Sequence, residues 1–252
     1  MTRLLVDAQD SRHSLDKAAV RQFFDIRANK AATLGLDRAV IYQDKHPELA
    51  QARDKAEKQR LRPYLALAAD DRVLDIGCGT GRWADEVLPQ CGTYLGVDIC
   101  DGFIQLARER FAHCSHACFC QLGAEDVGLL PAGPEEQFQL VLSMGVMIYL
   151  NDAELQRYLD GLCRLVAPGG RVIFREPVGL DKKLVLSEHY SAEMGQDYHA
   201  IYRTEAELQQ YFVASLARCG FRCRASGNMF DDKLNNRQET GQQFYLFVRE
   251  GA

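Results

Sequence analysis

Gly77, Gly79 and Gly81 stand at alternate positions directly after the apolar run Val73-Leu74-Asp75-Ile76, and a second carboxylate, Asp98, closes the next apolar run at Gly96-Val97-Asp98. Glycine reaches positive φ at little steric cost and lets a ligand lie against bare backbone. A carboxylate at the end of the neighbouring strand can accept two hydrogen bonds from a ribose diol. Asp98 lies 17 residues beyond Gly81, close to the span such a unit needs. A glycine motif alone is weak and could mark no more than tight turns. Strand, loop, helix, strand and acid in that order point to a nucleoside held at the carboxyl ends of a parallel sheet.

The elements that must position these residues follow from patterning. Strands are expected at Arg72–Ile76, Thr93–Asp98, Ala117–Leu122, Gln139–Ser143 and Arg171–Arg175, alternating with helices at Arg82–Leu88, Gly102–His113 and Ala153–Val166. Pro168-Gly169-Gly170 marks the turn that launches the fifth strand. Repeated β-α-β with short connections implies a parallel sheet covered by helices on both faces. A helix over Thr204–Cys219 stopped by Gly220, then strands near Phe221–Ser226 and Gln243–Val248, would close the sheet with an antiparallel pair. The fold class expected is a doubly wound α/β domain with seven strands in the order 3-2-1-4-5-7-6. Residues 61–252 form this domain, with an insertion over 177–203 that has its own structure or function. Residues 1–60 form a helical extension or lid: Ser14 to Lys30 is one helix, and a charged helix runs from Glu48 to Leu67, bent or broken at Pro63.

The glycine loop and its acid resemble the class I S-adenosylmethionine (SAM)-dependent methyltransferases, whose first motif is (D/E)xGxGxG. The resemblance covers roughly Leu61 to Arg175. It implies SAM as cofactor, with Gly77, Cys78, Gly79 and Gly81 around the methionine part and Asp75 orienting its amino group. Asp98 would bind the ribose, and Ile99 would pack on adenine. Ala124 and Glu125 would supply the adenine-edge contacts, in a loop where Gly123 replaces the family's frequent Asp. Met144, in Ser143-Met144-Gly145-Val146, would lie beneath the methyl group.

A sulfonium methyl is already activated, so the protein must align a nucleophile, exclude water and receive a proton where the nucleophile has one to lose. The candidate catalytic groups are Glu176, which ends the fifth strand, and His189 and His199 in the insertion, with His189 ranked first as general base. A bland surface role is the alternative for each histidine. The insertion and tail also resemble sugar O-methyltransferases of bacterial surface-polysaccharide clusters, including those acting on Kdo-type acidic sugars. The matching pieces are Tyr42-Gln43-Asp44, Gly81-Arg82-Trp83, His189-Tyr190-Ser191, the run Tyr198 to Arg203, and Asn236-Arg237-Gln238-Glu239-Thr240. That resemblance implies a hydroxyl on a sugar or glycan terminus as acceptor, O-methylation in polysaccharide biosynthesis, and substrate contacts from Tyr42, Tyr190, Tyr198, Tyr202, Arg203 and Arg237. The two arginines would pair with a carboxylate or phosphate. For Arg27 helix packing is expected, and for Trp83 an anchoring role.

Composition narrows the field. Thirty basic against 35 acidic residues give a net charge of −5, which supplies no bulk attraction to nucleic acid. Met1–Asp10 lacks a signal-peptide core and no apolar run is long enough to cross a bilayer, so a cytoplasmic location with reduced thiols is expected. The histidine and cysteine cluster from His113 to Cys120 fits no common zinc spacing, and no metal is expected. Two other functions stay open: N-methylation of an amine or amino sugar, and a non-catalytic SAM-binding regulatory domain.

Overall fold

Four apolar runs are buried along most of both faces, the pattern that forces strands into the middle of a covered parallel sheet, and a fifth, at the sheet edge, buries only Phe119. In the computed structural model, which describes residues 2–6, 13–231, 233–235 and 237–251, these are β2 (Arg72–Ile76), β3 (Thr93–Asp98), β4 (Ala117–Gln121), β5 (Phe138–Met144) and β6 (Val166–Gly179). With β9 (Phe221–Asn228) and β10 (Thr240–Arg249) they make a seven-stranded sheet in the order β4-β3-β2-β5-β6-β10-β9. β10 is antiparallel to both its neighbours, and the other pairs are parallel.

Helices α6 (Asp152–Leu165) and α7 (Glu205–Ala214) cover one face through Leu155, Leu159, Leu162 and Phe212. Both open with a capping box, Asn151 with Glu154 and Thr204 with Glu207, which satisfies backbone donors at the helix start. The other face carries α3 (Pro47–Leu65), α4 (Ala84–Val87) and α5 (Asp101–Arg110), packed through Leu61, Leu65, Val87, Ile104 and Ala107.

α3 does not break at Pro63. Leu61 and Leu65 are buried on either side of the proline, which sits in the helix's last turn, where few hydrogen bonds remain to be lost. The first crossover helix is shorter than the Arg82–Leu88 expected, reduced to Ala84–Val87 by the 3₁₀ turn at Leu88–Gln90.

The insertion folds as an antiparallel pair, β7 (Lys183–Ser191) and β8 (Gln196–Tyr202), and β1 (Thr2–Val6) adds to β7 as a third strand. The N-terminal segment is therefore not purely helical, and it shares a sheet with the insertion. α1 (Lys17–Leu34) lies between this small sheet and the large domain, burying Val20, Phe23 and Phe24 against Ala200, Ile201, Phe103 and Tyr149. A short helix, α2 (Leu36–Ile41), follows it. Among the described residues no helix is long and apolar enough to cross a membrane. Of the sequence features singled out, Asn236 and positions 1 and 7–10 lie outside the described residues.

Candidate active site

The turn after β2 is built so that its backbone faces a cavity. Gly77 and Gly79 have φ of +71° and +54°, and their amides are ordered from below: Gly77 N–H donates to the Val97 carbonyl, and Gly79 N–H donates to Asp98 Oδ2 at 2.9 Å. A Cβ on Gly77 would come within 2.6 Å of Val146, and one on Gly79 within 2.7 Å of Val40. The second Asp98 oxygen accepts from Cys100 N–H at 2.9 Å. Burial raises the Asp98 carboxyl to about 6, against the Cys100 and Gly79 amides that favour its ionised form. Asp75 accepts from the Tyr94 hydroxyl at 2.6 Å, and burial raises it to about 6 as well.

These groups line a cavity of about 850 Å³ together with Cys78, Ile99, Ala124, Glu125 and Met144. Its roof comes from the N-terminal elements: Lys17, Val20 and Phe24 of α1, Val40 of α2, and Tyr42. Lys17 ties the roof to the wall through Glu125 at 3.2 Å and Glu154 at 3.4 Å. Arg27, fully buried, clamps the 38–44 segment by donating to the carbonyls of Ala39 (2.9 Å) and Arg38 (2.8 Å) and pairing with Asp44 (2.6 Å). The clamp holds Tyr42 at φ +63°, a conformation that costs a non-glycine residue about 1 kcal/mol.

A second cavity of about 880 Å³ adjoins the first, and the two share Tyr42, Arg82, Met144, Gly145, Tyr149 and Arg175. Three phenols run along it: the Tyr149 and Tyr198 hydroxyls lie 3.2 Å apart, Tyr202 donates to Tyr198 at 3.2 Å, and Arg237 donates to Tyr202 at 2.9 Å. Glu57, 3% exposed on α3, organises the junction by accepting from Arg82, from Trp83 Nε1 (3.0 Å) and from Arg175 Nε (2.7 Å). Although burial works against its charge, the Arg175 and Arg82 guanidinium groups hold its carboxyl at about 2.

Most of the cofactor residues expected from sequence meet in the first cavity, with one exception. Gly81 does not line it; a Cβ there would come within 2.5 Å of the Phe111 ring, so this glycine lets α5 pack against the loop. Of the expected substrate residues, Tyr42, Tyr198, Tyr202 and Arg237 line the second cavity. Arg203 does not. It is 2% exposed and ties α6 to the preceding turn, donating to Met147 O (3.0 Å) and Leu150 O (2.8 Å) and pairing with Asp152.

The expected catalytic residues lie elsewhere. Glu176 is fully buried beneath the junction, where Oε1 accepts from the amides of Val146 (2.9 Å) and Met147 (3.2 Å), and burial pushes its carboxyl up to about 7. Its position fixes the backbone that floors both cavities. His199 faces a separate cleft beside α1, where Nδ1 accepts from Glu188 N–H at 3.3 Å. His189 and Tyr190 face an outer cleft with Arg3 and Glu239, which reaches the second cavity only through Tyr198, Arg237 and Thr240. Alternation along β8 puts His199 on the face opposite Tyr198 and Tyr202, and Tyr190, paired with Asp197, is on that opposite face too; His189 pairs with Tyr198 and shares its face, yet lines the outer cleft.

Arg53, Asp54 and Glu57 were not among the residues expected from sequence, where α3 reads only as a charged helix. The signal was present: Ala50, Glu57, Leu61 and Leu65 share one helix face, so Glu57 sits in the apolar stripe.

Residues 73–170 match the family described as a methyltransferase domain. The chain is 26% identical over 141 residues to phosphoethanolamine N-methyltransferase of Triticum aestivum, covering 54% of this chain and 28% of that protein. It is 34% identical over 119 residues to aklanonic acid methyltransferase DauC of Streptomyces sp. (strain C5), covering 43% and 49%. The solved structure of Haemonchus contortus phosphoethanolamine N-methyltransferase 1, in complex with phosphoethanolamine and S-adenosylhomocysteine, aligns with a TM-score of 0.68 at 18% identity, over 94% of this chain and 50% of that one. The chain thus spans half or less of the length of these proteins.

Proposed function

We propose that this chain, whose residues 73–170 match a methyltransferase domain, is a class I SAM-dependent methyltransferase and that the whole protein transfers a methyl group from SAM to a hydroxyl of a small acceptor, a sugar or glycan terminus, seated in the second cavity. The observation that carries this reading is the shared wall: a cavity with a nucleoside cradle opens, at Met144, Gly145 and Tyr149, onto a second cavity rich in hydroxyls and guanidinium groups.

In this reading the bare backbone of Gly77 and Gly79 accommodates the methionine part, Asp75 orients its amino group, Asp98 accepts from the ribose diol, and Ile99, Ala124 and Glu125 flank adenine. The cofactor supplies the activated sulfonium methyl. The protein's own contribution is alignment and exclusion of water: Val20, Phe24 and Val40 close the roof, and Tyr42 and Tyr149 stand where the two ligands meet. The Tyr149 oxygen accepts a hydrogen bond from the acceptor hydroxyl and orients it, while burial keeps the Tyr149 phenol itself neutral; the proton released on transfer leaves to solvent, in place of the histidine base expected from sequence. A neutral amine acceptor is the second reading, favoured by the placement of both histidines outside the junction and by the N-methyltransferases among the relatives.

The test is release of S-adenosylhomocysteine from SAM, followed with neutral sugars, sugar acids and amino sugars. Turnover with a hydroxyl acceptor, cut about 10- to 100-fold by Tyr149→Phe and untouched by His199→Ala, is the expected result. Methylation confined to amines would replace the O-methyl reading with the second one. One-to-one SAM binding with no transfer to any acceptor would leave a non-catalytic binding domain.

A further inference from the structure

On the sheet face covered by α6 and α7, below the junction of the two cavities, lie Ser143 Oγ, Glu176 Oε2 and the hydroxyls of Tyr158 and Tyr245, none with a hydrogen-bond partner of normal geometry. All four residues are fully buried. Strand register groups three of them. Ser143 and Tyr245 flank Phe174 in one row across β5, β6 and β10, and Glu176 follows Phe174 by two residues, so these side chains share one face. Tyr158 of α6 acts on both Ser143 and Glu176.

A buried carboxyl among hydroxyls can exist in either charge state, because a hydroxyl turns to accept from the acid or to donate to its anion. The two cations that act on Glu176, Arg175 beside it and Arg203 beyond β8, are engaged elsewhere, with Glu57 and Asp152. The other ionisable groups about the cluster are Asp75 of β2, acting on Tyr158, and Glu205 of α7 and Cys223 of β9, acting on Tyr245. Burial prevails over the two arginines and the two amides, and the carboxyl stands at about 7. Its other oxygen holds the amides of Val146 and Met147, and Val146 lines the first cavity with Gly145. That turn of backbone lies between the carboxyl and the wall shared by the two cavities.

We propose that Glu176 is a specificity-determining residue that reads the charge of the cofactor from beneath the floor: its carboxylate is the counter-ion of the sulfonium, and its acid form goes with the uncharged product. This rests on the methyltransferase reading and deepens it, for it assigns how the site tells SAM from S-adenosylhomocysteine. A positive charge nearby favours an ionised carboxyl, so Glu176 gives up its proton to solvent when SAM is bound. After transfer it takes a proton back from solvent, and the product is held less tightly than the cofactor.

The test is calorimetric titration of the full chain with SAM and with S-adenosylhomocysteine, in buffers of different protonation enthalpy. The two nucleosides share adenine, ribose and amino group, so protons moved by those groups cancel in the comparison. Below pH 7, SAM is expected to release more protons than S-adenosylhomocysteine. Its affinity relative to the product should rise about tenfold toward pH 8, the equivalent of one unit of pKa. Glu176→Gln keeps an acceptor for the Val146 and Met147 amides but cannot ionise, and should remove both differences while S-adenosylhomocysteine still binds. Thermal melting establishes that the variant is folded. Equal proton release by the two nucleosides in the unaltered protein would overturn the proposal, as would a difference that survives Glu176→Gln. Failure of both nucleosides to bind would instead sink the methyltransferase reading beneath it.

Discussion

Asp98 and Asp75 are carboxylates whose ordinary ionisation is opposed by burial, each raised to about 6 without ligand. An ionised Asp98 can accept from both hydroxyls of a ribose, whereas a protonated one must donate at one oxygen. Affinity for S-adenosylhomocysteine is therefore expected to rise as pH increases from 5 to 7, and Asp98→Asn to flatten that rise; calorimetry across this range measures both. Hydrogen bonds to a charged group contribute roughly 1.5–3 kcal/mol, so Asp98→Ala should weaken binding about 10- to 100-fold.

Folding runs the other way. An acid whose folded pKa exceeds its unfolded value binds more protons in the native state, so stability falls as pH rises between the two values. For Asp75, Asp98 and Glu176, raised to about 6, 6 and 7, that window runs from about 4, the ordinary carboxylate value, to these pKa values. Urea melts of the ligand-free protein should show a decline in stability from pH 4 to 7 that Glu176→Gln reduces.

The three loop glycines are expected to separate by function. Gly79→Ala should abolish S-adenosylhomocysteine binding, because its Cβ would displace Val40 from the cavity roof. Gly81→Ala should lower stability by roughly 1–3 kcal/mol through Phe111 while the folded protein still binds.

At the scale of elements, the roof depends on a clamp. Arg27→Met removes the buried partner of Asp44 and the donors to Ala39 and Arg38. The expected cost is about 3–5 kcal/mol of stability, together with faster dissociation of S-adenosylhomocysteine once Tyr42 is released, measurable by chemical melts and stopped-flow.

The same elements show how much could be read from sequence. β2, β3, β5 and β6 were legible because strands buried on both faces contain short continuous apolar runs, β4 because it completes the β-α-β alternation, and Gly77, Gly79 and Asp98 because a cavity lined by bare backbone demands those residue types. β1 was not, since Thr2–Val6 is a strand only by pairing with β7, some 180 residues away. The second cavity was half legible. Tyr42, Tyr198, Tyr202 and Arg237 were found through their motifs. Glu57 and Arg175 were not, because a charge facing another charge inside a protein looks in sequence like a charge facing water. His199 misled for the opposite reason, because side-chain chemistry says nothing of which face of a strand a residue occupies until register is known, and His189, on the face of Tyr198, because it says nothing of which cleft that stretch of strand lines.

Across the whole molecule, the first cavity sits where three hydrophobic clusters come together: the two faces of the large sheet and the N-terminal elements packed on the small one. A ligand there touches residues from α1, α2, β2, β3 and β5 at once. Binding should therefore slow hydrogen exchange across the 17–44 segment as well as the glycine loop, and at a hundredfold excess over Kd should stabilise the fold by about 2.7 kcal/mol.

The central claim is that one cavity holds the sulfonium nucleoside and delivers its methyl to the other across the wall at Met144, Gly145 and Tyr149. A crystal structure with S-adenosylhomocysteine tests it most directly. The account predicts the ribose diol on Asp98, the adenine between Ile99 and Ala124, and the sulfur facing Tyr149 with a clear line into the second cavity. A ligand bound elsewhere, or one whose sulfur is walled off from Arg175 and Tyr149, would contradict it.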